Sequence, residues 1–461
     1  MLIMRNFEML PTEENIFSTF CNNVLGRNED VKYFYEMLMS YDFSASIAID
    51  GRWGSGKTFF VHHVMLLIDA MNSNSNLDSE KRDEIISKVR MDDSIKTELT
   101  SMCAVYYDAW KNDNDNEPIL SLIYEIASQL CISINSDWID GKKKFCNLAG
   151  TILECLSKKN INNMIECLKS ENPFEEIKKQ RSIENRISEF FKMIPEERAN
   201  KVVIFIDELD RCKPIFTIRL LEQIKHYIND DRVMFVFSVN IDELQHTIKK
   251  YYGNGFDACR YLDRFFFQRI SLPPTNKTEF YEYMGLGSRY YVDIVTRRIC
   301  DIYNMQYREM TRYCSQVRTA VYKITHRDVS RCIFPVEKGH VLVINIIVPL
   351  LIALRNMDTS KYINFVNGKD YEPLMTLFSE EDNCLEILRY FLDDKDSSEE
   401  KEDKIKITKD EMLMKVYNAI FNNDKEYKSG VMIGGCEFDN KTKEFAIRCS
   451  NMMTSSADYS I

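Results

Sequence analysis

Apolar residues recur along the chain in two ways, as short unbroken runs and as stripes at helical spacing. Ala45-Ser46-Ile47-Ala48-Ile49-Asp50 is a run closed by Gly51, the pattern of a buried strand. Residues 1–44 before it read as helical and end near Tyr41-Asp42. A helix is predicted from Thr58, with Phe60, Val64, Leu67 and Ile68 on one face. Polar residues 72–99 predict an exposed connection with helical pieces. Cys103-Ala104-Val105-Tyr106-Tyr107 predicts a second strand, and Ile119, Leu122, Ile123, Ile126 and Leu130 an amphipathic helix after it. Val202 to Ile206 is the clearest strand, followed by Val233 to Val239 and a fifth at Phe267 to Leu272. Continuous runs separated by helical stretches predict a mostly parallel α/β sheet covered on both faces.

Between 135 and 200 the Lys-, Glu- and Asn-rich pattern predicts a helical insertion. Beyond Pro273-Pro274 the chain reads as mainly helical to about 392. Residues 393–404 hold seven acids, three lysines, two serines and nothing apolar, which marks a solvated linker. Phe438 and Phe445 flank a polar stretch at 439–444 and predict a terminal hairpin. The run Val341 to Leu354 is interrupted by Asn345 and Pro349, and falls short of the ~18 residues a membrane span needs.

The 461 residues are 45% hydrophobic, enough for a real core and against global disorder. Acids outnumber bases 71 to 60, a net charge of −11, which argues against a nucleic-acid coat while leaving a local basic channel open. The 14 cysteines form no CxxC, and the six histidines add no zinc spacing. They predict buried thiols in a reducing compartment, and the chain is expected to be cytoplasmic with no membrane attachment.

One motif carries chemistry at every defined position. Gly51-Arg52-Trp53-Gly54-Ser55-Gly56-Lys57-Thr58 fits GxxxxGK[ST] and lies between a predicted strand and a predicted helix. Glycines let successive N–H groups turn inward around phosphate oxygens, and the helix N-terminus adds its positive end. Lys57, taken as solvated between binding events, reaches the β- and γ-phosphates, and the Thr58 hydroxyl ligates Mg²⁺. Asp207 and Glu208, closing the best strand, suit a metal carboxylate and a base beside the attacking water. Asn240, ending the next strand, reads equally as a γ-phosphate or water contact and as a turn residue; Ser238 is the weaker candidate.

These residues resemble the KAP P-loop NTPases, a branch of the additional-strand, catalytic-glutamate class. The likeness rests on 51–58, Tyr107-Asp108-Ala109-Trp110, Phe205-Ile206-Asp207-Glu208-Leu209-Asp210-Arg211-Cys212 and Tyr261-Leu262-Asp263-Arg264, and covers about 20 to 330. It implies ATP, Mg²⁺, a three-layer core over 1–274, an extra strand between those bearing the phosphate loop and the acids, and a helical lid over 275–330. It implies that Arg27 lines the adenine pocket, that Arg264 stands close to the nucleotide in cis or in trans, and that Arg308 and Arg312 belong to the lid. Many members carry transmembrane hairpins between the phosphate loop and the acidic strand. Residues 59–201 contain no such run. The resemblance thus implies a Mg²⁺-dependent ATPase switch of soluble prokaryotic type, serving antiviral or mobile-element conflict through self-association or a separate effector. A nucleic-acid-stimulated motor or loader and a non-hydrolysing nucleotide-gated scaffold are the alternatives. Residues 331–461 show no effector chemistry.

Overall fold

The computed structural model describes residues 9–89, 102–115, 117–132, 190, 199–227, 230–273, 277–287, 290–325, 338–379, 387–388, 408–422 and 430–451. They belong to two compact units, Leu10–Lys277 and Thr278–Ile461 with Met1–Met9. The insertion expected at 135–200, apart from residues 190, 199 and 200, and the linker expected at 393–404 lie outside the described residues.

The first unit opens with α1 (Glu13–Cys21) and α2 (Asn28–Ser40). The single helical stretch read from the sequence is broken between them at Asn23 and Gly26, both with positive φ. Then follow β1 (Ser46–Asp50), α3 (Lys57–Met71), α4 (Ser79–Lys88), β2 (Met102–Asp108), α5 (Pro118–Ile132) and β3 (Lys201–Asp207). A 3₁₀ turn, Leu209–Arg211, leads to α6 (Pro214–Tyr227), β4 (Val233–Val239), α7 (Ile241–Tyr252), α8 (Ala258–Leu262) and β5 (Gln268–Ser271).

Among the described residues this unit has five strands, all parallel, in the order β2-β3-β4-β1-β5, so β4 lies between the strand before the phosphate loop and the strand ending in the acids. Alternate residues of each strand serve opposite layers. Val203, Phe205, Met234 and Val236 pack with Phe34, Phe60, Val64 and Leu67 of α2 and α3. Val202, Ile204, Ile206, Phe235 and Phe237 pack with α5, α6 and α7 through Ile123, Leu221 and Leu244. Both faces are covered, which is why the strands read as unbroken apolar runs. Burying each large aliphatic side chain contributes about 1.5–3 kcal/mol. All five strands present their carboxyl ends, and the loops that follow them, at one end of the sheet.

The second unit is mainly helical: α9 (Thr278–Tyr283), α10 (Tyr291–Ile302), α11 (Tyr307–Thr325), α12 (Lys338–Leu342), a π-helical turn (Val343–Ile347), α13 (Val348–Met357), α14 (Thr359–Val366), α15 (Glu372–Leu377) and α16 (Lys409–Phe421). Here two expectations are corrected. Asn345 and Pro349 do not interrupt the apolar run: Gly339–Met357 is one helical segment of 19 residues, long and apolar enough to cross a bilayer, and 67% buried inside the unit. The π turn accommodates the proline, which has no N–H for the Asn345 carbonyl; Val348 N–H reaches back to Val343 O, and Asn345 Nδ2 donates to Val341 O at 2.7 Å. The hairpin lies earlier than expected, β6 (Val431–Ile433) against β7 (Cys436–Phe438). Its turn is Gly434-Gly435, both at positive φ, as a tight hairpin requires. The polar stretch after Phe438 instead opens α17 (Asn440–Ser450), because Asp439 and Thr442 form a capping box.

Candidate functional site

The loop between β1 and α3 turns on Gly54 and Gly56, at φ 81° and 89°. A Cβ at Gly51 would stand 2.9 Å from Ser55 Oγ and 3.4 Å from Lys57 Cγ, so these side chains would have to shift. The loop is tied to the sheet, Gly51 N–H donating to Val239 O at 3.2 Å and Ile241 N–H to Asp50 Oδ1 at 2.9 Å. Lys57 is buried rather than solvated. Its Nζ donates to the carbonyls of Gly51 and Arg52, pre-shaping the loop. Burial pushes its pKa down, while Asp210, Asp207 and Asp50 pull it back up. The buried hydroxyl of Ser55, at the floor of the turn, has no protein partner among the described residues. An orphan buried hydroxyl in a loop that leads into a helix N-terminus fits a phosphate oxygen.

The acids arrive from β3. Asp207 Oδ2 accepts the Thr58 hydroxyl at 2.7 Å and the Tyr106 hydroxyl at 3.2 Å, and Oδ1 accepts the Glu208 N–H at 2.9 Å. Thr58 and Asp207 thus present a hydroxyl and a carboxylate side by side, a hard-oxygen donor set that fits Mg²⁺. Burial, then Asp207, pushes the Tyr106 phenol far up, so it remains a donor. The His62 ring lies 4.4 Å from the Tyr106 ring; burial holds its pKa down against the opposing pull of Asp207. Glu208 sits at φ 59°, in the left-handed region that L side chains rarely adopt. Its Oε1 pairs with Arg211 Nη1 at 2.9 Å. Asp210 accepts the Trp53 indole N–H at 2.6 Å, and burial pushes its pKa up against the lowering effects of Trp53 and Lys57.

The structure therefore brings together Gly51, Arg52, Trp53, Gly54, Ser55, Gly56, Lys57, Thr58, Asp207 and Glu208. Asn240 lies at the same end of the sheet, but its side chain caps α7 by accepting the Glu243 N–H at 3.5 Å. Its backbone N–H helps hold Asp210. The polar group left over on β4 is Ser238, wholly buried, paired in register with Asp207 and with no protein partner for its hydroxyl among the described residues. Arg27 is buried before α2 and donates to Pro273 O at 3.0 Å, after β5.

Arg264 is not brought to the loop. It lies on the chain entering β5, at the amino end of the sheet, exposed, its carbonyl accepting Lys225 Nζ at 3.0 Å. About 15 Å of strand at ~3.3 Å per residue separates that end from the phosphate loop. Arg308 and Arg312 stand one turn apart on the exposed face of α11 in the second unit, opposite the buried Tyr307, Met310 and Cys314.

Sequence reading missed Tyr106, Asp210 as a partner of Trp53, and the surroundings of Arg211. The guanidinium carbon of Arg211 lies 6.0 Å from the Trp53 ring centroid and 5.4 Å from that of Trp110. Trp110 is about half exposed.

A search of curated proteins returned no match. The model of the KAP family P-loop domain matches residues 27–317, well over half of the chain. With that match over a parallel sheet whose phosphate loop and acids meet through Thr58 and Asp207, the chain belongs to the KAP family of P-loop NTPases.

Proposed function

We propose that this chain binds ATP with Mg²⁺ at residues 51–58 and hydrolyses it to drive a conformational or assembly switch. The observation that carries the reading is the 2.7 Å contact of Thr58 with Asp207, which joins the phosphate loop to the acidic strand end across 149 positions. Lys57 and the loop N–H groups hold the β- and γ-phosphates. Thr58 and Asp207 would hold the Mg²⁺, which neutralises charge on the phosphates. Glu208 accepts a proton from water as its oxygen bonds to the γ-phosphorus, the bridging P–O bond breaks and ADP leaves with that electron pair. β4 between β1 and β3 supports membership of the additional-strand, catalytic-glutamate class.

Arg264, exposed at the amino end of the sheet, is assigned to act in trans, against another copy's nucleotide, in a self-associated form; its position supports only the exclusion of a role at its own chain's loop. The family likeness supports a soluble prokaryotic, cytoplasmic protein in antiviral or mobile-element conflict, with a separate effector. Calorimetry of ATP with Mg²⁺ and with EDTA, together with phosphate release with and without DNA or RNA, tests the reading. Mg²⁺-dependent binding with release insensitive to nucleic acid is the expected result. Large stimulation by DNA or RNA would favour a motor or loader, and tight binding without release a nucleotide-gated scaffold.

A further inference from the structure

We propose that Arg211 is a positioning residue that restrains Glu208, and that Trp53 of the phosphate loop and Trp110 set the strength of that restraint. The inference rests on Glu208 being the base. Glu208 is held twice. Its backbone sits in the left-handed region, where L side chains are rare, and is fixed there by Asp207 Oδ1 on its N–H and by the Arg211 N–H on its carbonyl at 3.1 Å. Its Oε1 is committed to the Arg211 guanidinium at 2.9 Å. An oxygen that accepts a guanidinium N–H must turn from it before it can take a proton from water along that lone pair.

Arg211 is itself gripped, its guanidinium lying within cation–π range of two indoles. One of them, Trp53, belongs to the phosphate loop and donates to Asp210, the neighbour of Arg211. Any rearrangement of the loop around a triphosphate moves Trp53, and with it the grip on Arg211. The base is thereby coupled to the state of the loop through a side chain that touches no reacting atom.

Trp53 and Trp110 become the only indoles in a Trp138→Phe background, since the chain has three tryptophans. In that background Arg211→Ala is expected to change the emission of the ligand-free protein. ATP with Mg²⁺ shifts emission in the parent and by a smaller amount in Arg211→Ala, where the guanidinium no longer links Trp110 to the loop. Turnover by Arg211→Ala should rise about fivefold, the scale of removing a partly exposed ion pair and a cation–π interaction at once, with KM for ATP within about twofold. Arg211→Lys keeps the charge but not the planar fork, and should fall between; it also serves if the alanine variant melts early. Turnover by Arg211→Ala that is unchanged or lower at parental ATP affinity overturns the restraint. So does emission indifferent to Arg211→Ala. Failure of the functional reading looks different: the parent binds no ATP, while emission still responds to the substitution.

Discussion

The two ends of the sheet in the first unit both carry cations, in different company. At the amino end, Lys225 donates to the Arg264 carbonyl and Lys201 to Met39 O at 2.9 Å, beside a cluster of Tyr41, Phe43 and Phe267 with ring centroids 5.2–6.1 Å apart. Those cations bond backbone carbonyls at the end of α2 and just past α8, of the kind that helix C-termini leave over. At the carboxyl end, Lys57 is buried among Asp50, Asp207 and Asp210, and Arg211 pairs with Glu208. The hydroxyls of Ser55 and Ser238 are buried there without protein partners among the described residues. Charge of both signs is desolvated at this end, with hydrogen-bonding capacity unspent. That asymmetry is what a ligand-binding end of a parallel sheet requires. Residue type alone does not separate Arg264 from Arg211; what each touches does.

The largest expected effect is Lys57→Ala, which should lower ATP affinity at least about 10²-fold, the scale of charge-assisted bonds to two phosphates. Because Lys57 also bonds the Gly51 and Arg52 carbonyls, a thermal melt belongs beside the titration to show that the variant is folded. Unchanged affinity in a folded variant would erase the distinction between the two ends. Next comes Tyr106→Phe. Losing the hydroxyl that steadies Asp207 should raise the Mg²⁺ needed for half-maximal turnover about tenfold, while ATP binding in EDTA stays as in the parent. An equal effect with and without Mg²⁺ would reassign Tyr106 to the core. The smallest effect is at the amino end. Arg264→Ala should leave turnover of dilute protein within about twofold and flatten any rise of specific activity with concentration. A large loss at high dilution would bring Arg264 to its own chain's nucleotide.

The phosphate loop was legible because its features are local: positive φ at Gly54 and Gly56, the close approach of Ser55 to Gly51, and a helix that begins at Lys57. The sheet was legible because strands covered on both faces have no alternation to hide. Tyr106 was not, since its partner is fixed by the β2–β3 register, which brings together residues 101 positions apart. Asn240 was ambiguous in the sequence, and the competing signal was present: a carboxamide three residues before Glu243 at a helix start is a cap. The hairpin was displaced because Asp439-Asn440-Lys441-Thr442 resembles a turn when read alone and a capping box when α17 follows. The run at Val341 to Leu354 was read as broken because a π turn has no sequence signature that separates it from a proline stop.

The account's central claim is that Glu208 at the end of β3 activates water against a nucleotide held by the loop after β1. Its most direct test is a pulse of radiolabelled ATP with Mg²⁺ given to the parent and to Glu208→Gln, quenched in acid over time and analysed for both nucleotides. The amide keeps the shape of the side chain but cannot accept the proton. Glu208→Gln should therefore retain ATP at parental affinity and convert it ~10²–10⁴-fold more slowly. Conversion by Glu208→Gln at the parental rate would contradict the account.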